Sequence, residues 1–565
     1  MLRQARIQMQ MAMHLARIIP PARSNFHLAA IEARQKKILH EVGMLSLEIK
    51  ASSLKRPWRM SATEMRCGQS WIRSLQHPML ESYTLRCPQA SAMIVRERGA
   101  EAPANQVLDA ANFYRAVLAA RAWPLQTTIL VIDHQAGAMS LRQGAWGTAP
   151  IYLMESAHTL RGHWDPLEFY PYLDCLDLGR ASRFLHSFDM PYSRRTLFFE
   201  LQMLTALSCA LWNGNTGLRI SYPNPASVAG VRTLCADARP AEAALKILEG
   251  AVKRWIHADI QYGSELSGGL DSSLVSILCR QYQPGLSTFG IHLDAPGQQQ
   301  RRQSLIERFG FHDASVDLNA HLPLAADSPR WHAATMVPWG EIYDEGVNAM
   351  LATAARQGVQ AMFTGFGGDE LCPLYAFEDP APPELAVLEP ASATPSAPDF
   401  LTRRAMRAMR STLSDAAPRA MIDASSLESA AFGSAIYLRH GIWPIHPLCT
   451  PELNRFCGAL PWSWRVGRTI ERAMLRQLDC PSEVVESRTV DSFQSSLSSG
   501  LRHSAGQQLC ELFDQPLLAE LDLVDPRQLR NRFLDWCENG TDDEALPFYS
   551  AASLEMSLRS IGARA

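Results

Sequence analysis

The chain has 565 residues, more than one hydrophobic core supports, so at least two folding units are expected. Apolar residues make up 47% and charged residues 20%, and the formal net charge is −3 with a pI near 6.6. That balance excludes the basic footprint of a nucleic-acid binder and the polybasic surface that seeks anionic membrane. No run approaches the ~18 consecutive apolar residues of a membrane-spanning helix. The twelve cysteines are scattered without a CxxC pair or a Cys/His group, so reduced thiols in a cytoplasmic protein are expected, not disulfides or structural zinc.

Residues 1–60 carry eleven Lys and Arg against three Glu and no Asp. Without an uninterrupted apolar stretch they do not read as a secretory signal. They are expected to form a basic N-terminal extension, disordered or lying upstream of the true start, with Met60 and Met65 as alternative starts. From 61 to 238 the pattern is β-rich. Ala92-Met93-Ile94-Val95, Thr128-Ile129-Leu130-Val131-Ile132 and Ile151-Tyr152-Leu153-Met154 read as strands, separated by turns such as Asp133-His134-Gln135-Ala136-Gly137. Ser193–Phe198 reads as the start of a helix running to Trp212, and Gly217–Pro223 as another strand.

From 239 to 565 helices and strands alternate, which predicts an open α/β sheet. Residues 376–400 interrupt it with six prolines among Ala, Ser and Glu, a composition that cannot build a packed core and reads as a loop.

The sharpest signal is Glu265-Leu266-Ser267-Gly268-Gly269-Leu270-Asp271-Ser272-Ser273-Leu274-Val275. An extended run precedes it and an apolar helical run follows. Strand, glycine turn and helix together make a phosphate site, because glycines let the backbone approach the oxygens and the helix start offers unpaired N–H groups. Ser267, Ser272 and Ser273 add hydroxyls. A bare phosphate would repel Asp271, so its place here makes sense as a ligand to Mg2+ bridging phosphates. The spacing is not GxxxxGK[ST] and the lysine is missing, so this is not a Walker loop. SGGxDS resembles the loop of enzymes that cleave ATP between the α and β phosphates.

Further on, Leu286–Leu293 reads as a strand, about Gln298 to Phe309 as a helix, Ala314–Leu318 as a third strand and Val359–Phe363 as a fourth. The last runs into Thr364-Gly365-Phe366-Gly367-Gly368-Asp369-Glu370-Leu371. In open α/β sheets ligands lie beyond the carboxyl ends of strands. The two glycine loops are therefore expected to line one crevice, each bringing an aspartate to the leaving pyrophosphate.

With both loops in place, residues 240–565 resemble the synthetase domain of the asparagine synthetase superfamily, which also holds β-lactam synthetases and lasso-peptide macrocyclases. The resemblance implies a PP-loop ATP-pyrophosphatase sheet, preceded by a β-rich α+β glutaminase-like (Ntn-type) domain that lacks its nucleophile. It implies ATP and Mg2+ as cofactors, with Asp271 and Asp369 as metal ligands and catalytic groups. Ser267, Gly268, Gly269, Ser272 and Ser273 would cradle phosphates, Ile291, Thr364 and Gly365 would lie against adenosine, and Leu266 and Asp271 would also bind the nucleotide. The implied reaction converts a carboxylate to an acyl-adenylate, which an amine then attacks.

Three departures narrow the branch. The chain begins Met1-Leu2, and its first cysteine, Cys67, follows Arg66, so the N-terminal cysteine of glutamine-dependent synthetases is not found. Phe366 stands where asparagine synthetases carry a glutamate. No lysine follows Lys253, so in the segment Glu486–Phe493 that resembles the family's late lysine loop, Arg488 is the candidate cation. Leu160–Pro166, Tyr192–Phe198 and Gly217–Pro225 resemble, in order, segments of lasso cyclases. That resemblance implies a precursor core peptide as substrate and a leader peptidase with a leader-binding element as partners, with no nucleic acid and no membrane. Trp339, Tyr343, Trp443 and His446 are candidate cavity walls, though aromatics are more often core, and Glu341, Asp344 and Glu345 are candidate amine-binding carboxylates. An ammonia-using asparagine synthetase, a β-lactam-type cyclase and a non-catalytic nucleotide-binding scaffold are the alternatives.

Overall fold

A computed structural model describes residues 44–562, apart from 75, 228–229, 294, 333, 336, 376–397, 411–414 and 490. The predicted proline-rich loop thus lies outside the described residues except at its C-terminal edge.

The first unit is built from two seven-stranded sheets, antiparallel but for one short edge pairing. Leu45–Lys50 sits inside the first sheet, pairing antiparallel with Thr159–His163 on one side and Ser70–Ser74 on the other. This corrects the boundary expected at residue 60. The strand's Leu45, Leu47 and Ile49 are all at most 2% exposed, so the β-rich unit begins within the segment read as an extension. The second sheet is centred on Ala90–Glu97 and Thr127–Asp133, whose alternate side chains face two ways. Met93, Val95, Leu130 and Ile132 enter the main core, while Ala92, Ile94 and Ile129 meet the helix Ala110–Ala120 through Phe113.

The helix expected from 193 to 212 is absent. Leu197, Leu201 and Leu204 recur at helical spacing, but Gln202–Leu204 pairs with Ile151–Leu153, and Cys209–Asn213 pairs with strands on both of its edges. Sheet pairing overrides the local pattern there.

The second unit carries a five-stranded, fully parallel sheet. We label its strands β1 (Tyr262–Glu265), β2 (Ser287–Phe289), β3 (His312–Asp313), β4 (Ala361–Phe363) and β5 (Trp443–Ile445), in the spatial order 3-2-1-4-5. Its helices include α1 (Leu270–Tyr282), α2 (Pro296–Phe309), α3 (Asp344–Arg356), α4 (Ala424–Arg439) and α5 (Thr469–Gln477). Helix α1 is buried almost all round, through Leu274, Val275, Ile277, Leu278 and Cys279. Each large aliphatic side chain there stabilises the unit by about 1.5–3 kcal/mol, so the loop ahead of α1 stands on a fixed base.

The expected strand Leu286–Leu293 breaks at Gly290. Ile291–His292 leaves the main sheet to pair with Val316–Asp317, while Leu266 N–H donates to the Phe289 carbonyl at 2.7 Å. The sheet order reverses direction between β1 and β4, so the loops after those two strands lie side by side at the switch point. Among the described residues no helix is long and apolar enough to cross a membrane.

Candidate active site

The first loop is held by its own hydroxyls. Ser267 N–H donates to Ser272 Oγ (3.1 Å), the two serine hydroxyls share a proton at 2.9 Å, and Gly269 N–H reaches Ser267 Oγ at 3.2 Å. Ser273 Oγ donates to the Gly269 carbonyl at 2.6 Å and is fully buried, so it staples the first turn of α1 and does not face a ligand. Gly268 has φ +85°, and a Cβ there would meet Arg302 Cγ at 2.8 Å. Both the backbone conformation and the space require glycine.

The second loop lies directly on the first. A Cβ on Gly365 would sit 2.9 Å from the Ser272 amide nitrogen, and one on Gly368 only 2.0 Å from Asp271 Oδ1. Thr364 is buried. Its N–H donates to the Ile445 carbonyl (2.9 Å) and its hydroxyl meets His446 Nδ1 (2.7 Å). Ile291 is half-buried, with its Cδ1 against Gly346 of α3. Ile291 thus follows β2, and Thr364 and Gly365 follow β4, at the carboxyl ends of these strands.

The cation at this crevice is one the sequence reading missed. Arg468 ion-pairs with Asp271 through Nη2, with Asp369 through Nη1 at 2.9 Å, and with the fully buried Glu471 through Nε. It occupies the left-handed region at φ +57°, immediately before α5. A non-glycine residue there costs about 1–3 kcal/mol, which the surrounding carboxylates offset. Burial pushes the Glu471 carboxyl up to about 7, and Arg468 opposes that rise. Arg488, by contrast, is exposed and forms no ion pair with either aspartate among the described contacts. The structure thus puts Arg468, and not Arg488, in contact with the two aspartates. A left-handed Gly467-Arg468 turn, with Gly467 at φ +58°, delivers the guanidinium from outside the late loop.

Asp271 and Asp369 converge on one positive charge, beside loop amides and hydroxyls, and this donor set suits a hard divalent cation. Among the described residues no group of three or more His, Cys, Asp or Glu could hold a metal ion alone. Such a site fits Mg2+, which takes one or two carboxylates and completes its octahedron with phosphate oxygens and water.

The remaining candidates divide. Trp339, Trp443 and His446 are at most 2% exposed and belong to the core. Trp443 Nε1 donates to Glu97 of the first unit at 2.6 Å. Burial pushes the His446 imidazole down to about 3, and its ring lies 5.3 Å from Phe366. Tyr343 is half-buried with its ring 4.9 Å from that of Phe493. Glu345 is spent on Arg330, Ser328 and the Leu324 N–H. Glu341 accepts from the Tyr343 N–H at 3.0 Å. Asp344 is buried, which pushes its carboxyl up to about 6 against the pull of Arg330.

Comparison with known proteins adds one strong finding. The family model described as asparagine synthase matches residues 243–559, more than half of the chain. A search of curated proteins found no match. Among solved structures, NMN synthetase from Francisella tularensis is similar at 14% identity, covering 57% of this chain and 97% of that one with a TM-score of 0.21. Glutamine phosphoribosylpyrophosphate amidotransferase from B. subtilis, complexed with ADP and GMP, is similar at 8% identity, covering 52% and 78% with a TM-score of 0.19. At those TM-scores neither likeness carries an argument.

Proposed function

This chain belongs to the asparagine synthase family, whose chemistry is ATP-dependent carbon–nitrogen ligation, and we propose from that premise that it is an AMP-forming macrolactam synthetase acting on a precursor peptide. The carboxylate of an Asp or Glu side chain attacks the α-phosphorus of ATP and pyrophosphate leaves. The peptide's N-terminal amine then attacks the acyl carbon, loses a proton, and AMP departs. The product is a lasso-type isopeptide ring.

The observation that carries the ATP half is the convergence of Asp271, Asp369 and Arg468 beside the serine- and glycine-rich loop at the sheet's switch point. Charge develops on the leaving pyrophosphate, and a fixed guanidinium in a partly buried site stabilises it without reorganising at the moment of reaction. Asp271 and Asp369 would hold Mg2+, which when bound neutralises phosphate oxygens. The chain's own residues do the rest. The Ser267–Gly269 backbone and the Ser272 hydroxyl border the phosphates, α1 directs its N-terminal dipole at them, and the Thr364–Gly365 turn closes the crevice.

Two features support the peptide branch. Phe366 replaces a carboxylate with a ring packed near His446, which suits a larger, less polar acyl substrate than aspartate. The segments at 160–166, 192–198 and 217–225 resemble, in order, those of the lasso cyclases. On this reading the two-sheet unit is a glutaminase-like fold without glutaminase chemistry, and a leader peptidase with a leader-binding protein supplies the trimmed precursor.

The test is purified protein with Mg-ATP, a candidate precursor and its peptidase, following AMP and loss of one water (about 18 Da) from the peptide. AMP with a dehydrated, protease-resistant product, abolished by Asp271→Ala, supports the reading. AMP formed only with free aspartate and ammonia would replace it with asparagine synthesis, and no turnover with any substrate would favour a nucleotide-binding scaffold.

A further inference from the structure

Helix α2 carries two adjacent arginines whose side chains are both almost fully buried, Arg301 at 6% exposed and Arg302 at 1%. Their partners differ in kind. Arg302 serves its own neighbourhood: Nε donates to the Leu266 carbonyl at 2.6 Å, Nη2 pairs with Asp313 at 2.8 Å and meets Ser315, and Nη1 meets His292 at 2.8 Å. Arg301 divides its guanidinium between two distant segments. Nε donates to the Gly268 carbonyl at 3.1 Å, and Nη2 pairs with the carboxylate of Asp491, 190 residues further along the chain.

The Gly268 contact has a directional consequence. In a trans peptide the carbonyl and the next N–H point in opposite directions. Holding the Gly268 carbonyl on α2 therefore turns the Gly269 N–H away from the helix, into the loop, where it meets Ser267 Oγ at 3.2 Å. The Asp491 contact is supported by a second one on the same helix face: Ser304, three residues on, donates to Glu483 at 2.5 Å. Two residues beyond Asp491, the Phe493 ring rests 4.9 Å from that of Tyr343, whose N–H caps Glu341.

We propose that Arg301 is a positioning residue that couples the ATP loop to the segment bearing Asp491 and Phe493, so that phosphate binding at the Ser267–Ser273 loop sets the placement of that segment. The inference rests on the ATP reading above and adds to it a route by which nucleotide occupancy is sensed on the acyl side. Arg301 is suited to this because a planar guanidinium donates in two directions from one rigid plane, which a lysine ammonium at the end of a flexible stem does not.

Hydrogen–deuterium exchange on the full chain, with and without Mg-ATP, tests it. In the wild type, nucleotide is expected to slow exchange both in the peptide spanning Ser267–Ser273 and in the peptide containing Asp491. In Arg301→Gln, Arg301→Lys and Asp491→Asn, the first response persists while the second shrinks roughly tenfold, the scale of a lost charge-assisted hydrogen bond. Asp491→Asn removes the partner's charge without altering α2, so it stands should the arginine variants fold poorly. Restoration of the second response by Arg301→Lys would reduce the role to charge alone and overturn the coupling. So would an Asp491 peptide that ignores nucleotide in the wild type, or that responds equally in every variant. No response at Ser267–Ser273 in the wild type would overturn the ATP reading itself, and the coupling with it.

Discussion

Asp271 and Arg468 form an ion pair across 197 residues of sequence, and the same guanidinium reaches Asp369 on the second glycine loop. One cation thereby registers the two loops against each other, and it comes from a turn that neither loop contains. Asp271 is 20% exposed at its side chain and Asp369 81%, so the guanidinium ties a half-buried carboxylate to an open one.

Arg468→Ala is expected to lower AMP formation by about 10²–10³-fold, the loss typical of one preorganised electrostatic group. Arg488→Ala, at an exposed position outside the ion-pair cluster, is expected to change it by less than about tenfold. Equal losses in the two variants would return the catalytic cation to the late loop.

Gly368→Ala tests the packing of one loop on the other. Gly368 has φ −68° and ψ −45°, which alanine adopts freely, so backbone strain is not at issue. The added methyl would fall 2.0 Å from Asp271 Oδ1 and turn that carboxylate away from Arg468. Mg-ATP affinity measured by calorimetry should drop at least about tenfold, equivalent to about 1.4 kcal/mol, while the melting midpoint stays near wild type. Unchanged affinity would mean that Asp271 is not required where the structure places it.

The contact between Glu97 and Trp443 predicts a pH dependence of stability. Glu97 is 3% exposed and accepts from the Gln126 N–H at 2.7 Å and from Trp443 Nε1, and burial pushes its carboxyl from 4.5 up to about 7. Between those values the folded chain keeps a proton that the unfolded chain has released. The stabilisation from this group is full below about 4.5 and is lost as pH rises through about 7, up to about 3 kcal/mol. The drop in melting temperature from about pH 5 to about pH 8 should shrink in Glu97→Gln. An identical drop in that variant would assign the dependence to other groups.

Asp165 and Arg439 make another polar tie between the units, with Asp165 Oδ1 2.8 Å from Nη2 and Oδ2 2.9 Å from Nε. Their side chains are 7% and 16% exposed. Asp165→Ala strands a buried guanidinium and should destabilise the protein by about 3–5 kcal/mol, more than removing both partners together. Denaturant melts of Asp165→Ala, Arg439→Met and the double variant would show this order. A double variant that is the least stable of the three would refute it.

Sequence alone determined the two glycine loops, their order and the parallel sheet between them, because phosphate cradles are built from contiguous backbone: Ser267–Ser273 and Thr364–Asp369 each carry their conformational requirements in a few adjacent residues. It also placed the strands around Ile94, Ile129 and Leu153, where apolar runs are bounded by turn residues. Only the tertiary structure decided what depends on distant partners. Leu197, Leu201 and Leu204 suit a helix by spacing and become strand and loop because sheet edges were available to Gln202–Leu204 and Cys209–Asn213. Leu45–Lys50 looked like part of a basic tail until two neighbours enclosed it. Arg468 was one arginine among many in a helix-rich stretch. Long-range packing brings its guanidinium to Asp271, and a left-handed turn no local pattern announces aims it there.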